Sequence, residues 1–155
     1  MSRRVSWSVG IVLAAAVAGA FLAGQTAGED KVKEGTAKGE RVYELRTYYC
    51  LPGRLEALHK RFKDHTMKLF EKHGMKNVVY WNLLKGEKDD DKMLIYLLAH
   101  KDKEAAAKSF DAFRKDPDWI AAKKASEEKG GGSLTEEKGG VVSEYLTPTS
   151  YSPLK

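Results

Sequence analysis

Cysteine is nearly absent: Cys50 is the only one in 155 residues, so no internal disulfide can form and the framework must stand on packing. No Cys/His spacing of the zinc-site kind occurs, and no phosphate loop, nucleophile elbow or catalytic triad is present. Those gaps remove the common nucleotide-hydrolysing, serine-hydrolase and zinc-dependent classes, and the residues call for no metal and no cofactor. The longest apolar run, Val9 to Ala23, spans 15 residues, short of the ~20 that a spanning helix needs. A one-sign charge stripe is also missing. The net charge is +5, but lysines alternate with acids, as in Lys60, Lys63, Asp64, Lys68, Glu71 and Lys72, which reads as a solvated helix face. Nucleic acid is therefore not an expected partner, and only a weak pull toward anionic surfaces follows.

What is present suits one domain, with 42% apolar and 32% charged residues. Arg3 and Arg4 precede the apolar run, and small residues follow it, the layout of a secretory leader over residues 1–28. Export to a periplasmic or extracellular setting is the expectation; an uncleaved N-terminal anchor, and with it membrane contact, is the alternative. Residues 29–40 read as a polar linker. The folded domain is expected over residues 41–155.

Within that domain, Val42–Cys50 is β-branched and aromatic and ends at Pro52-Gly53, so it reads as a strand closed by a turn. Alternation puts Val42, Glu44, Arg46, Tyr48 and Cys50 on one face and Tyr43, Leu45, Thr47 and Tyr49 on the other. Leu55, Leu58, Phe62, Thr66, Leu69 and Phe70 then recur at helical spacing up to Gly74. Residues 77–84 and 93–100 are two further strands joined by a charged turn, the second so apolar that it should be central. Asp102 can cap a helix with the stripe Ala105, Ala106, Ser109, Phe110 and Phe113. Pro117 falls within what looks like a continuing helix. With Asp116 as N-cap and proline at the first helical position, it instead starts a new short helix, placing Trp119 in that helix's first turn as a core anchor or a pocket wall. A glycine-rich loop from Glu128 leads to a last strand before Pro148.

Strand, helix, strand, strand, helix, strand is the ferredoxin-like βαββαβ order, an α+β fold with helices on one face of a four-stranded antiparallel sheet. Tyr43, Tyr48, Tyr49, Tyr80 and Trp81 are too much apolar surface for the uncovered face to leave wet, so that face is expected to pair with a second copy.

The segments VYELRTYYCLPGRLEALHKRF, HTMKLFEKHGMKNVVYW, LIYLLAHKDKEAAAKSFDAFRKDPDW and PTSYSPL closely resemble the NIPSNAP family, from about Arg41 to Lys155. Glu44-Leu45-Arg46, His73-Gly74 and Asp116-Pro117-Asp118-Trp119 are the most specific pieces. The resemblance implies a dimeric α/β-barrel, two ferredoxin-like units joined through their sheets. The glycine-rich loop after Ala125 and the leader depart from the pattern, and the leader points to export rather than to the mitochondrial setting of the best-known members.

Two functions remain. One is an exported homodimer that binds a small ligand or a partner protein between helices and sheet, with Arg46, Tyr48, His65, Trp81, Asn82 and Trp119 as candidate pocket residues. The other, by analogy with dimeric α/β-barrel proteins, is a cofactor-independent monooxygenase or haem-binding oxidase using His65, Trp81, Asn82 and Arg46. His59, His65 and His73 all fall on or beside the apolar face of the first helix, and His65 lies most nearly toward the sheet, as a base or axial ligand would. A packed or hydrogen-bonded histidine is the plainer alternative. Glu44 and Arg46, two apart on one strand, are either an ion pair or a carboxylate beside an anion-holding arginine.

Overall fold

The computed structural model describes residues 41–154. The leader and the linker expected over residues 1–40 lie outside the described residues. Four strands, β1 (Val42–Tyr49), β2 (Lys76–Trp81), β3 (Met93–His100) and β4 (Val141–Leu146), form one sheet in the order β2-β3-β1-β4. All neighbouring pairs are antiparallel, so the architecture is the α+β, ferredoxin-like one that the element order implies. The apolar strand β3 is central, next to β1.

Between β1 and β2 the chain runs as one helix with an irregular middle: α1 (Leu55–Arg61), a π-helical segment (Phe62–Thr66) and α2 (Met67–Lys72). Leu58, Phe62, Thr66, Leu69 and Phe70 are buried, as their spacing requires. The wide turn closes on a side chain, because Thr66 Oγ1 donates to the carbonyl of Arg61 at 3.2 Å. It also re-aims His65. In an unbroken α-helix at ~100° per residue, His65 would fall within about 20° of Leu58 and face the sheet. A π turn spends an extra residue on the same rotation. His65 is turned outward and exposed, which corrects its placement on the apolar face.

After β3, α3 (Lys103–Lys115) opens on Asp102, whose side chain accepts from the Ala105 amide at 2.7 Å. Ala106, Phe110 and Phe113 form its buried stripe. Asp116 then leaves helical geometry, accepts from the Asp118 amide at 2.8 Å, and starts α4 (Pro117–Gly130) with Pro117 in the first turn. This helix is not short. It continues through Gly130 and stops only where Gly131 takes a left-handed conformation at φ 77°. In the loop beyond, Leu134 is buried against the core and Thr135 bridges to Cys50. Gly140 packs against the Glu136 backbone so closely that a Cβ there would lie 2.0 Å from the Glu136 carbonyl oxygen.

The main core lies between the sheet and the helices and is rich in rings: Phe62, Phe70 and Tyr96 pack together, with Phe110 and Phe113 against Phe70. Tyr48 and Tyr80 join this side, stacking toward Tyr96. They are thus not part of the face opposite the helices, as the aromatic count had assumed; strand alternation sends each to the helix side of its neighbour. On the opposite face, Tyr43, Leu97 and Ala99 form a second cluster with Leu45, Val78 and Val79, to which no described helix contributes. Trp81, Val142 and Leu146 remain exposed at its margins.

Candidate functional site

The polar residues of β1 sit inside the main core. Glu44 is 1% exposed. Its Oε1 accepts from Arg46 Nη1 at 2.6 Å and from Ser143 Oγ at 2.5 Å, and its Oε2 lies 2.9 Å from His100 Nε2. Burial alone would raise the carboxyl, but His100, Ser143 and Arg46 outweigh it and hold the group below its ordinary value. An ionised carboxylate only accepts, so His100 donates from Nε2, and its Nδ1 is buried with no partner. Arg46 also donates from Nε to the Tyr96 hydroxyl at 2.9 Å, and its guanidinium carbon lies 4.5 Å from the Phe110 ring centre. The pair reads as structure: Arg46 is bonded on both sides to core residues, and no nucleophile adjoins it.

A second constellation joins the two helical layers. His73 Nε2 lies 2.6 Å from Asp116 Oδ2, and Lys72 Nζ reaches the same oxygen at 2.8 Å and Asp118 Oδ2 at 3.3 Å. Lys72 and His73 together hold the Asp116 carboxyl well below the usual carboxylate range. Two of the most specific sequence motifs, His73-Gly74 and Asp116-Pro117-Asp118-Trp119, therefore meet in space. Their work is to fix α4 on α2.

Space for a ligand opens elsewhere, where α1 and the π turn pass the end of edge strand β2. This cleft, about 490 Å³, has Phe62, Met67, Tyr80 and Trp81 as apolar walls, Asn82 as a neutral polar group and Glu56, His59, Lys60, Lys63 and Asp64 around its rim. Trp81 is 46% exposed. The Tyr80 hydroxyl turns away to Asn77 Oδ1 at 2.5 Å, so its ring, not its oxygen, faces the space. The cleft offers aromatic contact, an amide and a rim of mixed charge; it holds no paired base and nucleophile. Among the described residues no group of three or more His, Cys, Asp or Glu could hold a metal ion.

The six candidate pocket residues are thus divided. Trp81 and Asn82 share the cleft. Arg46 and Tyr48 belong to the core. Trp119 packs on Phe113 with ring centres 4.4 Å apart, and also lines a groove along α4 with Ile120 and Glu127. His65 stands on the outer surface, facing the groove toward α4. Cys50 is fully buried, and burial pushes its thiol up to about 11, against a smaller opposing effect of Arg61. His100 and Ser143, the partners of Glu44, were not foreseen. Alternation places His100 on the helix side of β3, but only the β1–β3 register, Glu44 opposite Leu98, reveals that it reaches Glu44.

The NIPSNAP family profile matches residues 43–153. Among solved structures, the fold is similar to a NIPSNAP family protein of unknown function, Atu4242, from Agrobacterium tumefaciens, at 20% identity and TM-score 0.62, covering 77% of this chain and 97% of that one. It is also similar to an uncharacterized NIPSNAP-like domain protein from Burkholderia xenovorans, at 17% identity and TM-score 0.59, covering 74% and 90%. A further A. tumefaciens family protein, Atu5224, aligns at 17% identity and TM-score 0.60, over 74% and 99%. No curated protein matches the chain.

Proposed function

The chain belongs to the NIPSNAP family, and from that premise we propose that it acts as an exported homodimer that binds a small ligand in the cleft between α1, the π turn and the end of β2. The observation that carries the binding role is the cleft itself: about 490 Å³ of aromatic-walled space with one amide and a rim of mixed charge, without a reactive pair. Export rests on the leader. Dimerisation rests on the sheet face opposite the helices, where Val142 and Leu146 stay 40% and 44% exposed beside the cluster of Tyr43, Leu97 and Ala99. A second copy would cover that face and bring the exposed Trp81 close to the joint.

Catalysis has less behind it. The histidine best suited to act as a base, His65, is on the outer surface, and Arg46 is spent on Glu44 and Tyr96.

Native mass spectrometry of the protein taken from its host's envelope tests all three parts. The expected species is a leaderless dimer with a discrete extra mass that disappears in Trp81→Ala. A monomer would remove the dimer, a retained leader would remove the export of a cleaved form, and an extra mass unaffected by Trp81→Ala would move the ligand out of the cleft.

A further inference from the structure

Arg61 ends α1 with only 5% of its side chain exposed. A guanidinium carries five N–H donors, and at such depth each one without a partner is costly. Its partners here are thin. Nη1 reaches Ser126 Oγ at 3.4 Å and Glu127 Oε1 at 3.8 Å, and the Trp119 ring centre is 5.2 Å from the guanidinium carbon. Nε is buried with no hydrogen-bond partner. Arg46, less deeply placed, is by contrast gripped at 2.6 and 2.9 Å. Burial presses the basicity of Arg61 down, and its neighbours do not restore it.

This arginine borders a pocket of about 110 Å³ between α1, the π turn and α4. At ~30 Å³ per water, the space holds three or four waters, the scale of one small oxyanion. Ala57, Ala122 and Ala125 keep it open, the Ser126 hydroxyl is held by the Lys123 carbonyl, to which it donates at 2.7 Å, and Lys129 stands at its edge with no ion pair among the described residues. Lys60 and Asp64, also at the edge, neutralise each other at 2.6 Å. The nearby acid, Glu127, is also within 3.9 Å of Lys123 and can stay with that lysine.

We propose that this pocket is an oxyanion site, taking a carboxylate or phosphate group on the Arg61 guanidinium, with Lys129 closing the charge balance. Planar forked donors suit such oxygens in a way a single ammonium does not. It meets the Trp81 cleft only at Lys60 and Asp64; Arg61 and Lys129 belong to this pocket alone, so either site can fail without the other.

The test follows the Arg61 Nε–Hε resonance in the full protein during titration with sodium phosphate and, separately, sodium acetate, against sodium chloride at equal ionic strength. The expected result is a saturable shift with at least one oxyanion and none with chloride. Phosphate alone would mark a phosphate group, acetate alone a carboxylate. Lys129→Gln, an exposed change that spares the fold, should weaken binding by roughly two- to fivefold. No saturable shift with either anion overturns the proposal, as does a shift that Lys129→Gln leaves unchanged.

Discussion

His73 Nε2 stands 2.6 Å from Asp116 Oδ2, so the residue that ends one helix is bonded to the residue that begins another. The same carboxylate caps α4 through its other oxygen and pairs with the Lys72 ammonium. One side chain thus joins α2, the end of α3 and the start of α4. Its loss affects three elements at once.

Acid should expose this. The folded value of Asp116 lies below its ordinary 3.8, so its contribution is present above that pH and is lost as pH falls through the folded value. The melting temperature is expected to drop below about pH 4, and Asp116→Asn should be less stable at neutral pH with a flatter acid limb. Circular dichroism melts across pH measure both. An Asp116→Asn protein with the parent's acid limb would assign the loss to another carboxylate.

Glu44 carries the second electrostatic prediction. Glu44→Gln keeps the shape but leaves the Arg46 charge buried without its counter-ion, at a cost of about 3 kcal/mol. Replacing both, as Glu44→Gln with Arg46→Met, should recover part of that. Urea unfolding of the two variants and the parent measures that recovery; equal losses in single and double variants would contradict a compensated pair.

Phe70 is 1% exposed and packs against Phe62, Tyr96, Phe110 and Phe113. Phe70→Ala should cost ~3–5 kcal/mol, because rings held from several sides cannot collapse into the gap. The denaturant midpoint reports it, with an unchanged slope if the loss is confined to packing.

Thr66→Val tests the wide turn. It removes the hydroxyl that donates to the Arg61 carbonyl while keeping the branched shape. The carbonyl keeps the i→i+5 backbone bond of the π turn, so the loss is that of one hydrogen bond, roughly 0.5–1.5 kcal/mol. If thermal unfolding is unaltered, water or the backbone has taken over the bond.

Period-two and helical patterns read the sheet, both amphipathic helices and the Asp102 and Asp116 caps directly, because each depends on neighbours within a few residues. Pro117 was intelligible for the same reason. The π turn was not: it depends on a bond between Arg61 and Thr66 that competes with the ordinary α-helical bonds, and the apolar spacing fits both geometries. That misplacement carried His65 to the wrong face. The length of α4 escaped because three successive glycines read as loop, whereas only the left-handed Gly131 stops the helix. The candidate pocket list failed to cohere since side chains sharing a strand face, such as Arg46 and Tyr48, were drawn into the core by Phe110 and Tyr96, elements distant in sequence. Trp81 and Asn82 survived together because they are adjacent.

The wide turn at Phe62–Thr66 also sets where the chain can change length. Removing one residue from a regular helix rotates everything after it by ~100° and turns a buried stripe outward. Here the extra residue is already stored, with Lys63 and Asp64 exposed on it. Deleting either would let the segment wind as an ordinary α turn, leaving Leu58 before it and Leu69 and Phe70 after it directed at the same sheet. The middle of the helix is therefore its most length-tolerant point, and the ends, fixed by Leu55 and by the His73–Asp116 bond, are its least.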